Sequence, residues 1–277
     1  MRLYSPQDGW EKVTGRSRYY VILRGHFKSG GEYEKAVSLH REVLCIARNS
    51  SDLMWQTQAL FGMGLALYPV GNYEAAKDCL EECRNITGTI GNRIGEGAAL
   101  AGLGDILLHE GEYSRALANH RARLTILRSA RGQKDARNLI AEGHALMGMG
   151  KAYFGLGAYE RAEECHHEHL KISITLNDTL GLGSAAGHLA EIRFKQRGYE
   201  KAIELHQQHR RYATRLLDRR GEADARFGEA QALSRLGNNH GAVELCSTAV
   251  ELYTVIKAPE ASQVRRWLIE QGNVINV

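Results

Sequence analysis

With 277 residues, 43% of them hydrophobic and 25% charged, the chain has the composition of an ordinary folded protein, which excludes an intrinsically disordered class. The net charge of +4 is small, so its distribution along the chain carries more information than its sum. Three prolines against 30 glycines is an unusual balance, and the glycines need a positional explanation.

Residues 1–16 read as an N-terminal flank. Met1 to Trp10 lack the uninterrupted apolar run of a secretory leader. The most apolar window, Ala59 to Val70, is interrupted by Gly62, Gly64 and Pro69 and falls short of the ~20 residues needed to cross a bilayer. The expectation is a cytoplasmic chain with no membrane span. Five cysteines, Cys45, Cys79, Cys83, Cys165 and Cys246, make an odd count among apolar neighbours, the pattern of buried, reduced thiols.

From residue 17 onward one layout repeats. Tyr33, Tyr73, Tyr113, Tyr159, Tyr199 and Asn239 are spaced by 40, 40, 46, 40 and 40 residues, and three places after each stands Ala36, Ala76, Ala116, Ala162, Ala202 or Ala242. An apolar helical pattern precedes each Tyr, a glycine turn interrupts it, and a second amphipathic helix follows, so each unit reads as a helical hairpin. Asp52, Asn92, Asn138, Asp178 and Asp218 are placed as N-caps of the next unit's first helix. Gly64, Gly104 and Gly150 of the first helices are expected where the two helices cross, against the alanines of the second. Since one hairpin cannot hide its apolar stripes alone, the hairpins must stack.

Six units follow, over 17–51, 52–91, 92–137, 138–177, 178–217 and 218–258. The six-residue insertion, within Ser129 to Arg137, reads as a surface loop. The ends differ from the middle, with Arg24 at the glycine position of the first unit and Ala230 beside Glu229 in the sixth. Pro259 opens a last helix, a cap and tail over 259–277 with Trp267 and Leu268 turned inward. Thirteen main helices are expected.

The small residue of the first helix, the Gly-x-Tyr turn and the alanine of the second helix resemble tetratricopeptide repeats. The 40-residue unit, with Asn92-Arg93-Ile94-Gly95-Glu96-Gly97 and Tyr159-Glu160-Arg161-Ala162, is similar to the adaptors of the LGN/Pins family. The chain departs from that family where its first helices carry Asn, having Leu65, Asp105, Lys151, Glu191 and Gln231 instead. The resemblance implies an all-α, right-handed α-solenoid. It also implies a non-enzymatic scaffold whose first helices line a concave groove for a partner peptide.

Histidines at His40, His120, His166 and His206 share one register, and His169 and His209 lie one turn beyond the last two. Such pairs are able to supply metal ligands, but without a third ligand at metal-site spacing they read as packed, hydrogen-bonded histidines between hairpins; no metal or other cofactor is expected. No nucleophile or phosphate-loop motif is present, and Gly181-Leu182-Gly183-Ser184 lacks the strand a dinucleotide site requires, so it reads as a flexible helix start. Residues 121–137 carry a net +5 and 205–220 a net +4, leaving −5 for the remainder. These patches suggest an alternative, a sensor or regulatory module associated with nucleic acid. Tyr212 is the one aromatic among those arginines, so nucleic acid is not the expected partner.

The expected groove residues are Asp105 and His109, Lys151, Glu191 and Lys195, then Gln231 and Arg235, with Tyr68, Phe154 and Phe194 as exposed aromatic anchors. Their mixed charge suggests a protein or peptide ligand carrying acidic residues opposite Lys151, Lys195 and Arg235.

Overall fold

The computed structural model describes residues 30–129 and 135–275, and among these it contains 12 α-helices and no strand. The chain divides into two compact units, residues 1–131 and 132–277. In the first lie α1 (Gly30–Asn49), α2 (Leu53–Leu67), α3 (Tyr73–Thr89), α4 (Arg93–His109) and α5 (Tyr113–Ser129). In the second lie α6 (Ala136–Gly155), α7 (Tyr159–Leu176), α8 (Thr179–Lys195), α9 (Tyr199–Arg215), α10 (Arg219–Arg235), α11 (Asn239–Val255) and α12 (Glu260–Ile275). The first helix expected for the opening hairpin, with Arg24, lies outside the described residues, as does the flank before it.

Capping chemistry starts the helices. Asp52 Oδ1 accepts from the Trp55 amide (3.1 Å), Asn92 from Gly95 (3.0 Å), Asp178 from Leu180 (3.1 Å) and Asp218 from Gly221 (3.0 Å). Asn138 is not a cap. Helix α6 opens three residues earlier, Asp135 Oδ1 accepts from the Asn138 amide (2.8 Å), and the insertion has thereby lengthened the helix as well as the linker. Residues 130–134 of that insertion lie outside the described residues.

Inside four of the hairpins the chain reverses through a left-handed glycine, Gly71, Gly111, Gly157 and Gly237 at φ of 83°, 78°, 74° and 84°. In the fifth hairpin Arg197 takes that conformation at φ 64°, a position that favours glycine because a β-carbon crowds the backbone there.

Consecutive helices pack antiparallel within each unit, and neighbouring first helices also touch one another: α2 with α4, α6 with α8, α8 with α10. Neighbouring second helices make no contact of that extent among the described residues. The stack in each unit is therefore tighter on the first-helix side, which makes that side concave.

The six register alanines are all fully buried, but the glycines opposite them are closed by a different side chain. A β-carbon at Gly104 would lie 2.6 Å from the His120 ring, and one at Gly150 would lie 2.5 Å from that of His166. His40 covers Gly62 and His206 covers Gly228 in the same way, on the following hairpin. In the second hairpin Leu80 replaces the histidine and seats between Gly64 and Gly102, with the Ala76 carbonyl also close to Gly64. The recurring histidine is thus a core residue whose flat ring needs bare backbone beside it. Its packing matches expectation, yet Nδ1 of His166, His169 and His206 has no hydrogen-bond partner.

Cys83, Cys165 and Cys246 are buried, whereas Cys79 is half-buried and Cys45, on α1, is exposed. The last helix closes the second unit. Val264 is buried against Cys246 and Val250, and Trp267 and Leu268 pack on the same cluster. The Trp267 ring meets Phe227 edge-on at 5.5 Å.

Candidate functional site

In the first unit, Tyr68, Asp105 and His109 come from α2 and α4. Tyr68 is half-buried, packed edge-on against Tyr73 at 5.6 Å, and the Tyr73 hydroxyl meets His109 Nε2 at 3.1 Å. Asp105 is exposed, its Oδ1 lying 3.8 Å from His120 Nε2. Burial, and then the Asp105 charge, push the Tyr68 hydroxyl above the usual tyrosine range.

Tyr68 has two counterparts in the second unit, where Phe154 packs on Tyr159 at 5.6 Å and Phe194 on Tyr199 at 5.4 Å. These three rings are therefore half-buried and not exposed as expected, each packed against the tyrosine that opens the second helix.

A cavity of about 760 Å³ opens on the first-helix side of the second unit. Of the expected residues, Phe154, Glu191, Phe194, Lys195 and Gln231 line it. Lys151 lines an adjoining cavity of about 180 Å³ together with Phe154, His166, His188 and Glu191. Arg235 is exposed and does not line either.

The cavity is deeper than a face of first helices alone would make it, because second-helix residues reach its floor. A β-carbon at Gly183 would lie 3.2 Å from Tyr212 Cβ, and one at Gly187 would lie 2.9 Å from His209 Nδ1. The Gly181–Ser184 segment lies in the opening turns of α8, a helix start as expected, and Gly183 there admits α9 closely. His206, His209 and Tyr212 from α9 and Tyr253 from α11 thereby join Ser184, His188 and Asp224 on the lining.

The electrostatics of this floor are specific. The Tyr253 hydroxyl donates to Asp224 Oδ1, and Arg220 pairs with Glu260 at the edge of the cavity. Burial raises the Asp224 carboxyl above its ordinary range, against the lowering effect of the Tyr253 hydrogen bond. At Glu191 burial opposes ionisation, but His188, with Nδ1 3.6 Å from Oε2, and the nearby His206 and Lys151 outweigh it and hold the carboxyl low. Burial pushes His206 down to about 4 despite Glu191, and burial also lowers His209. The His166 ring stacks on His188 at 4.8 Å, and burial with the surrounding cations brings His166 to about 2. Among the described residues no group of three or more His, Cys, Asp or Glu side chains is arranged to hold a metal.

The basic stretch at 205–220 is partly neutralised within the unit. Arg210 lies 3.6 Å from the buried Glu229, which also accepts from Gln207 (2.8 Å), and Arg220 is held by Glu260. No described helix is long and apolar enough to cross a membrane.

Two family models, each described as a tetratricopeptide repeat, match residues 55–129 and 21–54. No curated protein matches the chain by sequence. Among solved structures, the chain is similar to a signal-transduction ATPase of the STAND class with a tetratricopeptide repeat sensor, from Pyrococcus horikoshii. The TM-score is 0.70 at 20% identity over 88% of this chain, which spans 36% of that protein's length. The apo form of RapI is similar over 95% of this chain and 97% of its own, with TM-score 0.66 and 15% identity. A Rap protein complexed with Competence and Sporulation Factor is similar over 89% and 72%, with TM-score 0.61 and 14% identity. At these identities the likeness is one of fold, and with the family models it establishes that the chain carries tetratricopeptide repeats within an all-helical repeat architecture.

Proposed function

We propose that this chain is a non-enzymatic interaction module, an adaptor or scaffold of the kind the LGN/Pins resemblance implies, and that the groove of its second unit holds a peptide segment of a partner protein bearing acidic residues. The observation that carries the reading is the state of the cations. Arg193, Arg210, Arg220 and Arg226 each engage a carboxylate, whereas Lys151, Lys195 and Arg235, on the first helices α6, α8 and α10, make no ion pair among the described residues. Lys195 in the cavity, Lys151 in the adjoining one and the exposed Arg235 beyond them favour an elongated ligand with negative charge. In the first unit, Tyr68, Asp105 and His109 supply a second contact area. A Rap protein of similar fold was solved complexed with Competence and Sporulation Factor, which supports reading the groove as a binding surface.

The experiment is a Lys151→Glu, Lys195→Glu double variant, tested against a partner recovered by pull-down with the parent chain. Loss of affinity with unchanged helical content supports the groove. Equal affinity sinks it and shifts attention to the basic surfaces around Arg128 and Arg215. A sensor reading draws on the Pyrococcus neighbour's tetratricopeptide sensor. Its nucleic-acid form requires binding to random duplex that weakens steeply with salt, and the internal pairing of Arg210 and Arg220 counts against it.

A further inference from the structure

The cavity of the second unit has two ends of different chemistry, and its lysine accounts for one of them. Leu180 and Lys195 both line it and lie fifteen residues apart on α8, a rise of about 22 Å, so the cavity runs the length of that helix. At the Lys195 end the phenylalanine rings are closed down on hairpin tyrosines. At the other end, where α8 begins and α9 finishes, Leu180 is 62% exposed and Leu216 43% exposed, with Tyr212 one turn before Leu216 on the same lining. The charged groups there are engaged: the Asp218 carboxylate accepts from the Gly221 amide, and Arg220 pairs with Glu260. What this end offers a ligand is apolar surface.

Leu217 extends that surface. It is 87% exposed and takes the left-handed conformation at φ 54°, in the turn where other links between hairpins place Ser51, Gly91, Asn177 and Lys257. A leucine at this position costs the free fold twice, through backbone crowding and through apolar surface held in water. An apolar group that covers the leucines recovers the second cost.

We infer that the Leu180 and Leu216 end of the cavity, with Leu217 beside it, is a subsite for one large apolar side chain of the bound segment. The inference rests on the groove reading above and deepens it, because it fixes the order of residues on the ligand. An extended segment rises about 3.3 Å per residue, so an acidic residue at Lys195 and an apolar one at Leu180 stand about six or seven places apart. The leucines open onto a cavity of about 760 Å³, which a protruding side chain fills and the flat face of a second copy leaves empty. The lysine at the far end asks the same ligand to be acidic there.

The test is affinity selection from a positional library of N-acetylated decapeptide amides, whose blocked ends leave side chains as the charged groups. It is run with the full parent chain, with Leu180→Gln, with Leu180→Gln, Leu216→Gln, and with Lys151→Glu, Lys195→Glu. The parent should enrich a large apolar residue at one position and an acidic residue about six or seven places away. The double leucine variant should lose the apolar enrichment by about tenfold, the low end of what burying a leucine-sized side chain contributes, while retaining the acidic one. The lysine variant should do the reverse. Acidic enrichment without an apolar position in the parent, an apolar position adjacent to the acidic one, or an apolar preference that survives in the double leucine variant overturns the subsite and leaves the groove standing. Failure of the parent to enrich any peptide overturns both. Sedimentation of the parent alone examines the other occupant: a dimer that forms with rising concentration and is abolished by Leu216→Gln, Leu217→Asn would mean that a second copy covers the leucines, and would overturn the subsite. Should the double leucine variant not fold, Leu180→Gln alone decides, since that side chain is exposed and an apolar preference unmoved by its replacement refutes the subsite.

Discussion

The ring of His120 lies directly over the backbone of Gly104, so that a β-carbon there would come within 2.6 Å of its Cε1 and Nε2 atoms. His120 is 1% exposed and has little room to withdraw. Gly104→Leu should therefore destabilise the first unit by overpacking, by about 1–3 kcal/mol, seen as a lower midpoint in urea. An unchanged midpoint would mean that the histidine can swing away and that the close approach is incidental.

The buried histidines set an acid limit on stability. Burial holds His206 and His169 at about 4, below the 6.5 of an unfolded histidine. The unfolded chain thus takes up protons first as pH falls. Stability is complete above pH 6.5 and declines between there and about 4, with His206 alone contributing about 2.5 kcal/mol of the loss by pH 4.5. Denaturant midpoints at pH 7 and 4.5 measure this. His206→Leu, which installs the residue found at Leu80 in the second hairpin, should flatten part of the dependence; an equally steep profile would clear His206 of the effect.

Arg197 occupies the left-handed turn position that glycine holds in the neighbouring hairpins. Arg197→Gly should stabilise the protein by about 1 kcal/mol, read as a rise in melting temperature. A decrease would show that the arginine side chain makes up for the strain.

The corrected helix start has its own test. Asp135→Ala should cost about 1 kcal/mol through loss of the cap on α6, more than Asn138→Ala, since the oxygen that caps the helix belongs to Asp135 and Asn138 meets it with its backbone amide. The reverse order of effects would restore Asn138 as the cap.

These cases also show what sequence alone reveals. Tyr73, Tyr113 and Tyr159 mark the hairpins through their spacing, because turns and caps are local and recur in the chain with the structure. Asn138 misled because counting back from the insertion assumes that the helix keeps its length. The cavity lining was half legible: Glu191, Lys195 and Gln231 follow from the register of α8 and α10. His209, Tyr212 and Tyr253 do not, because they belong to second helices and reach the floor where Gly183 and Gly187 let α9 approach. That depends on the distance between two helices, which no single period encodes.

The seating of each histidine also fixes the order in which hairpins follow one another. His40 and His206 rest on glycines of the hairpin after their own, but the equivalent place after His166 is filled by His188, whose ring stacks on it. The fourth and fifth hairpins are therefore a matched couple. Moving the fifth hairpin behind the first would set the His188 ring where His40 requires bare backbone. Rearranged or duplicated versions of this chain are expected to be viable only where each register histidine is followed by a first helix shaped to receive it, so the repeats are similar in sequence without being interchangeable parts.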